Sequence, residues 1–143
     1  MSDKFFLDTN VFVYCFDTSS PDKLKISNDL VHRSIESGLG VISFQVIQEF
    51  LNVALQKFAV PLTLEDSQVY IDNVFFPLCR VLPDVALYKE ACDIKKKAGF
   101  SFCDCLVLAA AMRQDCGVLY SEDFQHGFQL HKLTIVNPFI EKV

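Results

Sequence analysis

The chain has 143 residues, 51% of them hydrophobic, and a formal net charge of −5, which together suit one core and a single domain over residues 1–143. The negative balance excludes broad electrostatic adhesion to nucleic acid, because Lys and Arg supply that affinity by neutralising phosphate. No apolar run approaches the ~18 residues of a membrane span, and MSDKFFLD lacks a basic region followed by an apolar stretch, so a cytoplasmic protein with no membrane association is expected.

The first β-like run, Lys4 to Leu7, leads into Asp8-Thr9-Asn10. Pro21 to Ser37 then reads as a helix, opened by Ser20-Pro21, carrying Leu24, Ile26, Leu30, Val31 and Ile35 near helical spacing and stopping at Gly38. Gly40 to Ser43 is the second strand. Phe44 to Phe58 is a helix with Phe44, Ile47, Leu51 and Ala54 on one face, and Pro61 separates it from a second helix, Leu64 to Val74. After the third strand, Cys79 to Leu82, a helix over Asp84 to Lys97 ends in Lys95, Lys96 and Lys97, with Gly99 placed as its C-cap. Phe102 to Asp115 is the last long helix, followed by strands at Gly117 to Tyr120 and Leu133 to Val136. Strands alternating with helices in this way predict an α/β fold with a largely parallel sheet.

The six cysteines, at positions 15, 79, 92, 103, 105 and 116, lie mostly in apolar runs such as FCDCLVLAAA. That placement predicts reduced, buried thiols rather than a disulfide framework. Cys103 and Cys105 form a C-x-C without a second pair or a nearby histidine, which fails the usual zinc pattern.

Ligands in such sheets bind beyond the carboxyl ends of the strands. Asp8 directly follows the first strand and Asp123 follows the fourth. The helix bearing Asp104 runs down to the start of the fourth strand, so its first turn begins at the same upper edge. Glu49 sits about one and a half turns into the helix leaving the second strand and can face that edge. Four carboxylates gathered there would repel one another unless a cation intervenes, and hard oxygen donors favour Mg²⁺ or Mn²⁺. Each acid also has a plainer reading. Asp8 suits a cap of the turn or helix after it, Glu49 suits an exposed helix position, Ser101 to Asp104 suits a capping box, and Glu122 and Asp123 suit a surface loop. Their joint placement carries the functional reading.

The segments FFLDTNVFVYCFD, ISFQVIQEFLNVA, SFCDCLVLAAAM, GVLYSEDFQHG and LTIVNPF, in this order, resemble the PIN-domain ribonucleases, particularly the toxins of VapBC-type toxin-antitoxin pairs. The resemblance covers essentially the whole chain. It implies a three-layer α/β/α sandwich with a central parallel sheet in the order 3-2-1-4-5. It also implies that Asp8, Glu49, Asp104 and Asp123 are the catalytic, metal-binding quartet, Asn10 and Ser121 polar supports, and Glu122 an accessory acid. An RNA substrate, a cognate antitoxin, a homodimer and products with a 5′ phosphate and 3′ hydroxyl follow by family habit. One departure is Cys103, at a position often aromatic in relatives. With no Trp, base stacking would fall to Phe102, Phe124 or Tyr14. His126 is a candidate phosphate contact, and the Lys95 to Lys97 triplet a lesser one.

The expected activity is therefore Mg²⁺- or Mn²⁺-dependent endoribonuclease cleavage of RNA phosphodiester bonds. Three alternatives compete with it. A catalytically silent PIN-fold scaffold would show eroded acids, and all four are present. A phosphohydrolase with Asp8 as nucleophile would want a second Asp two positions on, where Asn10 stands. A receiver-like module would need its phosphoacceptor after the third strand, where Pro83-Asp84 fits poorly.

Overall fold

The computed structural model describes residues 2–140. Six strands form one sheet in the order β3-β2-β1-β4-β6-β5. They are β1 (Phe5–Leu7), β2 (Gly40–Ser43), β3 (Cys79–Val81), β4 (Val118–Tyr120), β5 (Gln129–Leu130) and β6 (Leu133–Val136). β1 pairs in parallel with β2 on one side and with β4 on the other, through Phe5↔Gly40 and Phe5↔Val118. β2–β3 and β4–β6 are also parallel. The sheet thus departs from β1 in both directions, and the switch between β1 and β4 opens a crevice at their carboxyl ends. β1 and β2 are buried along their whole length, as expected of central parallel strands covered on both faces.

The helices are α1 (Thr9–Tyr14), α2 (Pro21–Ser37), α3 (Phe44–Gln56), α4 (Leu64–Tyr70), α5 (Phe76–Leu78), α6 (Val85–Lys97) and α7 (Phe102–Arg113). α7 buries seven consecutive residues, Cys105 to Ala111, so it is a core helix, apolar all round rather than striped. It packs on α6, and Arg113 Nη1 fastens its far end to the Asp84 carboxylate at 2.7 Å. α2 ends at Gly38 in the left-handed region, φ +70°. Gly40, two residues later, lies so close to Ser34 that an added Cβ would come within 2.2 Å of the serine Cβ. Only glycine lets α2 press onto the start of β2 there.

The expected strands all form, with the fifth of them as β6. A two-residue antiparallel strand, β5, precedes it and lengthens the order beyond 3-2-1-4-5. Three further corrections concern helices. The segment expected as one helix to Val74 stops at Tyr70 and continues as a π-helical turn, Ile71–Phe75. That turn lets Tyr70 and Phe75 both reach Phe50, at ring-centroid distances of 5.3 and 5.2 Å. α6 ends at Ala98 in extended backbone, and Gly99 is not left-handed; Lys95 reaches forward to the Phe100 carbonyl and stabilises the exit instead. On α3 the fully buried stripe is Val46, Phe50 and Ala54, with Phe44, Ile47 and Leu51 at its half-buried margins. All six cysteines are free, but only Cys105 and Cys116 are buried, while Cys92 and Cys103 are exposed. Among the described residues no helix is long and apolar enough to cross a membrane.

Candidate functional site

The crevice beside β1 is built from side chains that the strand ends and helix starts deliver to one edge. Asp8 leaves β1 in extended backbone and caps α1, its Oδ1 accepting the Thr9 N–H at 2.8 Å. β4 ends at Tyr120, whose carbonyl accepts the Asp8 N–H at 3.0 Å. This bond fixes Asp8 beside Ser121. α3 begins at the end of β2 and carries Gln45 and Glu49 one turn apart on one face. Ser101 caps α7 by accepting the Asp104 N–H at 3.1 Å, the serine half of a capping box, and so sets Asp104 in the first turn of a buried helix.

A continuous path of hydrogen bonds joins these groups. Asn10 Nδ2 donates to Asp123 Oδ2 and to Ser121 Oγ, each at 3.2 Å. Ser121 Oγ donates to Asp8 Oδ2 at 2.7 Å and accepts the Asp123 N–H at 3.1 Å. On the other flank Thr9 Oγ1 donates to Glu49 Oε2 at 3.0 Å. Gln45 Nε2 donates to Glu49 Oε1 and to the Cys103 carbonyl, each at 3.0 Å. Both protons of that amide nitrogen are thereby used. From Asp123 through Asp8 to Glu49 and the residue before Asp104, the rim is one polar circuit.

Electrostatically the rim is strained. Asp8 is only 4% exposed, and burial raises its carboxyl to about 7, with the charges of Asp123 and Glu49 adding to the rise while Ser121 and the Thr9 N–H oppose it. Asp104 is also raised, by burial first and by the charge of Asp123 after it. The two acids thus feel the same neighbour across the crevice. Among the described residues no cation contributes to the ionisation of Asp8. Nor, among the described residues, do three Asp, Glu, His or Cys side chains close into a ready-made metal cage. The donor set nevertheless fits a divalent ion. It consists of hard carboxylate oxygens around a buried acid that lacks a countercharge, with hydroxyl and amide groups already holding the carboxylates in place.

The structure brings Asp8, Glu49, Asp104, Asp123, Asn10 and Ser121 to this edge together. Glu122 stands beside the circuit, with its carboxylate taken up by the Tyr14 hydroxyl at 2.7 Å and Lys23 Nζ at 3.4 Å. Lys23 also lies 4.7 Å from the Tyr14 ring centroid, so one cation is held at the margin of the acidic rim. Phe124 is buried against Phe100 and is part of the core, not a stacking platform. Tyr14 packs edge-on to Phe139. Phe102 alone of the three expected aromatics stays exposed near the rim. His126 Nδ1 accepts the Asn137 N–H at 3.0 Å and thereby ties the acidic loop to the exit of β6. Thr9 and Gln45 are the members that sequence reasoning missed. Gln45 lies one helical turn before Glu49, and Thr9 follows an acid at a strand end; those spacings were the available signals.

The family profile described as "PIN domain" matches residues 5–128. Among solved structures, VapC20 of Mycobacterium tuberculosis, described as a sarcin-ricin loop cleaving toxin, superposes with a TM-score of 0.60 at 14% identity over 85% of this chain and 90% of its own. VapBC2 from Rickettsia felis, bound to a fragment of its promoter DNA, gives 0.60 at 16% identity over 92% and 96%. FitAcB from Neisseria gonorrhoeae gives 0.60 at 18% identity over 96% and 99%. No curated protein matches the sequence.

Proposed function

Because the chain belongs to the PIN domain family, we propose that its acidic crevice hydrolyses RNA phosphodiester bonds with the help of Mg²⁺ or Mn²⁺. The observation that carries this reading is the circuit joining the carboxylates of Asp8, Asp123 and Glu49 and reaching α7 at the Cys103 carbonyl beside Asp104, with a buried Asp8 raised to about 7 and no cation beside it. Such a site holds a deficit of positive charge in advance of its ligand.

Asp8, Glu49, Asp104 and Asp123 would hold the ion. When bound, a divalent cation lowers the pKa of a water nucleophile and neutralises charge developing on phosphate. The rest is positioning by the chain. Ser121 and the Thr9 N–H lock the rotamer of Asp8, Asn10 aims Asp123, and Thr9 with Gln45 hold Glu49. The half-buried Asp104 rides on a helix too tightly packed to shift. Water activation needs carboxylates fixed within fractions of an ångström, and neutral partners achieve this without competing for the cation. Lys23, at the margin, supplies the positive charge that a chain of net −5 otherwise spares little of for phosphate.

The same reading makes the chain the toxin of a toxin-antitoxin pair, active in the cytoplasm as a homodimer and restrained by a cognate antitoxin. The fold neighbours described as VapBC and FitAcB support it. An antitoxin side chain of positive charge would satisfy the same deficit around Asp8 that a metal would.

The test compares cleavage of single-stranded RNA by the wild type and Asp104→Asn in Mg²⁺, Mn²⁺ and EDTA. The expected result is metal-dependent cleavage, abolished by EDTA and at least ~100-fold slower in the variant, as for loss of a charge acting in the transition state. Equal rates for both proteins, or rates indifferent to EDTA, overturn the assignment.

A further inference from the structure

Glu49 borders a second feature that the proposed hydrolysis does not use. A cleft of about 540 Å³ runs from Gln45 and Glu49 along α3 and is closed on its far side by Tyr88 of α6 and by Cys103 and Leu106 of α7. Its volume is within the range of small-ligand sites. Gln48, Asn52 and Gln56 line it at successive helical turns. Among the described residues these three amides have no hydrogen-bond partner. The exposed Tyr88 ring also lines it, and outside the lining the exposed Phe102 ring lies nearly parallel to Tyr88, 11° apart, with centroids separated by 6.4 Å.

The lining carries no Lys or Arg, and Glu49 is its one charge. It therefore disfavours a phosphate and suits a neutral, flat group with hydrogen-bonding edges. Amides present a donor and an acceptor together and pair with base edges, while aromatic faces stack on bases of any sequence. We propose that this cleft receives an unpaired nucleobase of the RNA strand, next to the phosphate engaged at the acidic rim. Gln48 and Asn52 read its edge, and Tyr88, flanked by Phe102, supports its face. The inference rests on the nuclease reading and adds to it a choice of single-stranded substrate with a base preference at one position. The exposed Cys103 leaves the mouth of the cleft open where an aromatic side chain would narrow it.

Two measurements test the cleft separately from the chemistry. The full chain carrying Asp104→Asn, which prevents turnover, is titrated with four fluorescein-labelled decaribonucleotides that differ in one base. It is then crosslinked by ultraviolet light to a strand bearing a single 4-thiouridine, and the attached residue is found by mass spectrometry. The expected outcome is a crosslink at Tyr88, Phe102 or Leu106. Affinities should differ among the four strands, and Gln48→Ala with Asn52→Ala should level them. Tyr88→Ala should weaken all four by ~10-fold, the size of one lost stacking contact.

RNA that binds with crosslinks confined elsewhere, unaffected by these three surface substitutions, overturns the cleft inference and leaves the nuclease reading standing. A dimer that dissociates on Tyr88→Ala while RNA affinity stays constant assigns the cleft to contact between copies and also overturns it. Absence of both RNA binding and cleavage in the wild type removes the nuclease reading and this inference together.

Discussion

The two ends of α1 face opposite physical worlds. At its C-terminal side Phe12 enters a cluster of rings in which Phe16, Phe50, Phe58, Tyr70 and Phe75 meet one another at centroid distances between 5.0 and 6.0 Å. At its N-terminal side Asp8 is buried much as Phe12, Phe50 and Phe75 are, yet its neighbours in charge are two further acids. One region is packed to lower the free energy of the folded state, and the other holds a burden that the first must offset. Stability and chemistry are thus separated by about one turn of a single short helix.

Removing a ring from the cluster is the strongest way to break that contrast. Phe50→Ala should cost ~3–5 kcal/mol in urea unfolding, with RNA cleavage per folded molecule unchanged; a loss of specific activity in the folded fraction would show that the two ends are not independent. The next effect is a dependence on pH. The metal-free Asp8 carboxyl titrates near about 7 when folded, against 3.8 as its ordinary value, so the folded protein keeps a proton that the unfolded chain releases. The stability tied to that proton is complete below the unfolded pKa and is lost as pH rises through the folded one. In EDTA the unfolding free energy should fall by up to ~1.4 kcal/mol per pH unit across that window. Asp8→Asn should flatten the slope, and an identical slope in the variant would deny the burden to Asp8.

Cation binding should then relieve the same burden. At 100 times its Kd, Mn²⁺ should stabilise the wild type by ~2.7 kcal/mol and should leave the melt of Asp8→Asn nearly unmoved. A wild-type melt indifferent to millimolar Mn²⁺ would count against the site. The smallest effect belongs to Thr9→Val, which keeps shape but removes the donor to Glu49. It should change stability by no more than ~1 kcal/mol while reducing the Mn²⁺-induced shift, because Glu49 is then free to turn away. A full shift retained in the variant would make Thr9 a bystander.

The sheet was largely legible in the sequence because buried parallel strands are nearly continuous apolar runs, as in FFL and GVIS. α1 was not. Its residues TNVFVY are rich in β-branched side chains and follow a strand directly, so local propensity runs against helix and the Asp8 cap with tertiary packing decides. The β5–β6 hairpin escaped for a related reason. Its turn contains His131, held at φ +54° without glycine or asparagine, and so lacks the residues that usually announce a tight turn. The acids of the rim could be placed from strand ends alone, whereas Thr9 and Gln45 could not be assigned. Thr9 meets Glu49 across 40 residues of sequence, and Gln45, although one helical turn before Glu49, shows its role only through its second bond, to the Cys103 carbonyl 58 residues on; spacing along the chain hints at such pairs without encoding those long-range contacts.

The bond from Gln45 to α7 ends on the backbone oxygen of residue 103, not on its side chain. The tether that aligns Asp104 with Glu49 is therefore indifferent to which amino acid occupies that position. Descendants of this chain could exchange Cys103 for larger or aromatic residues, retuning which RNA is admitted, while the cutting geometry is inherited intact.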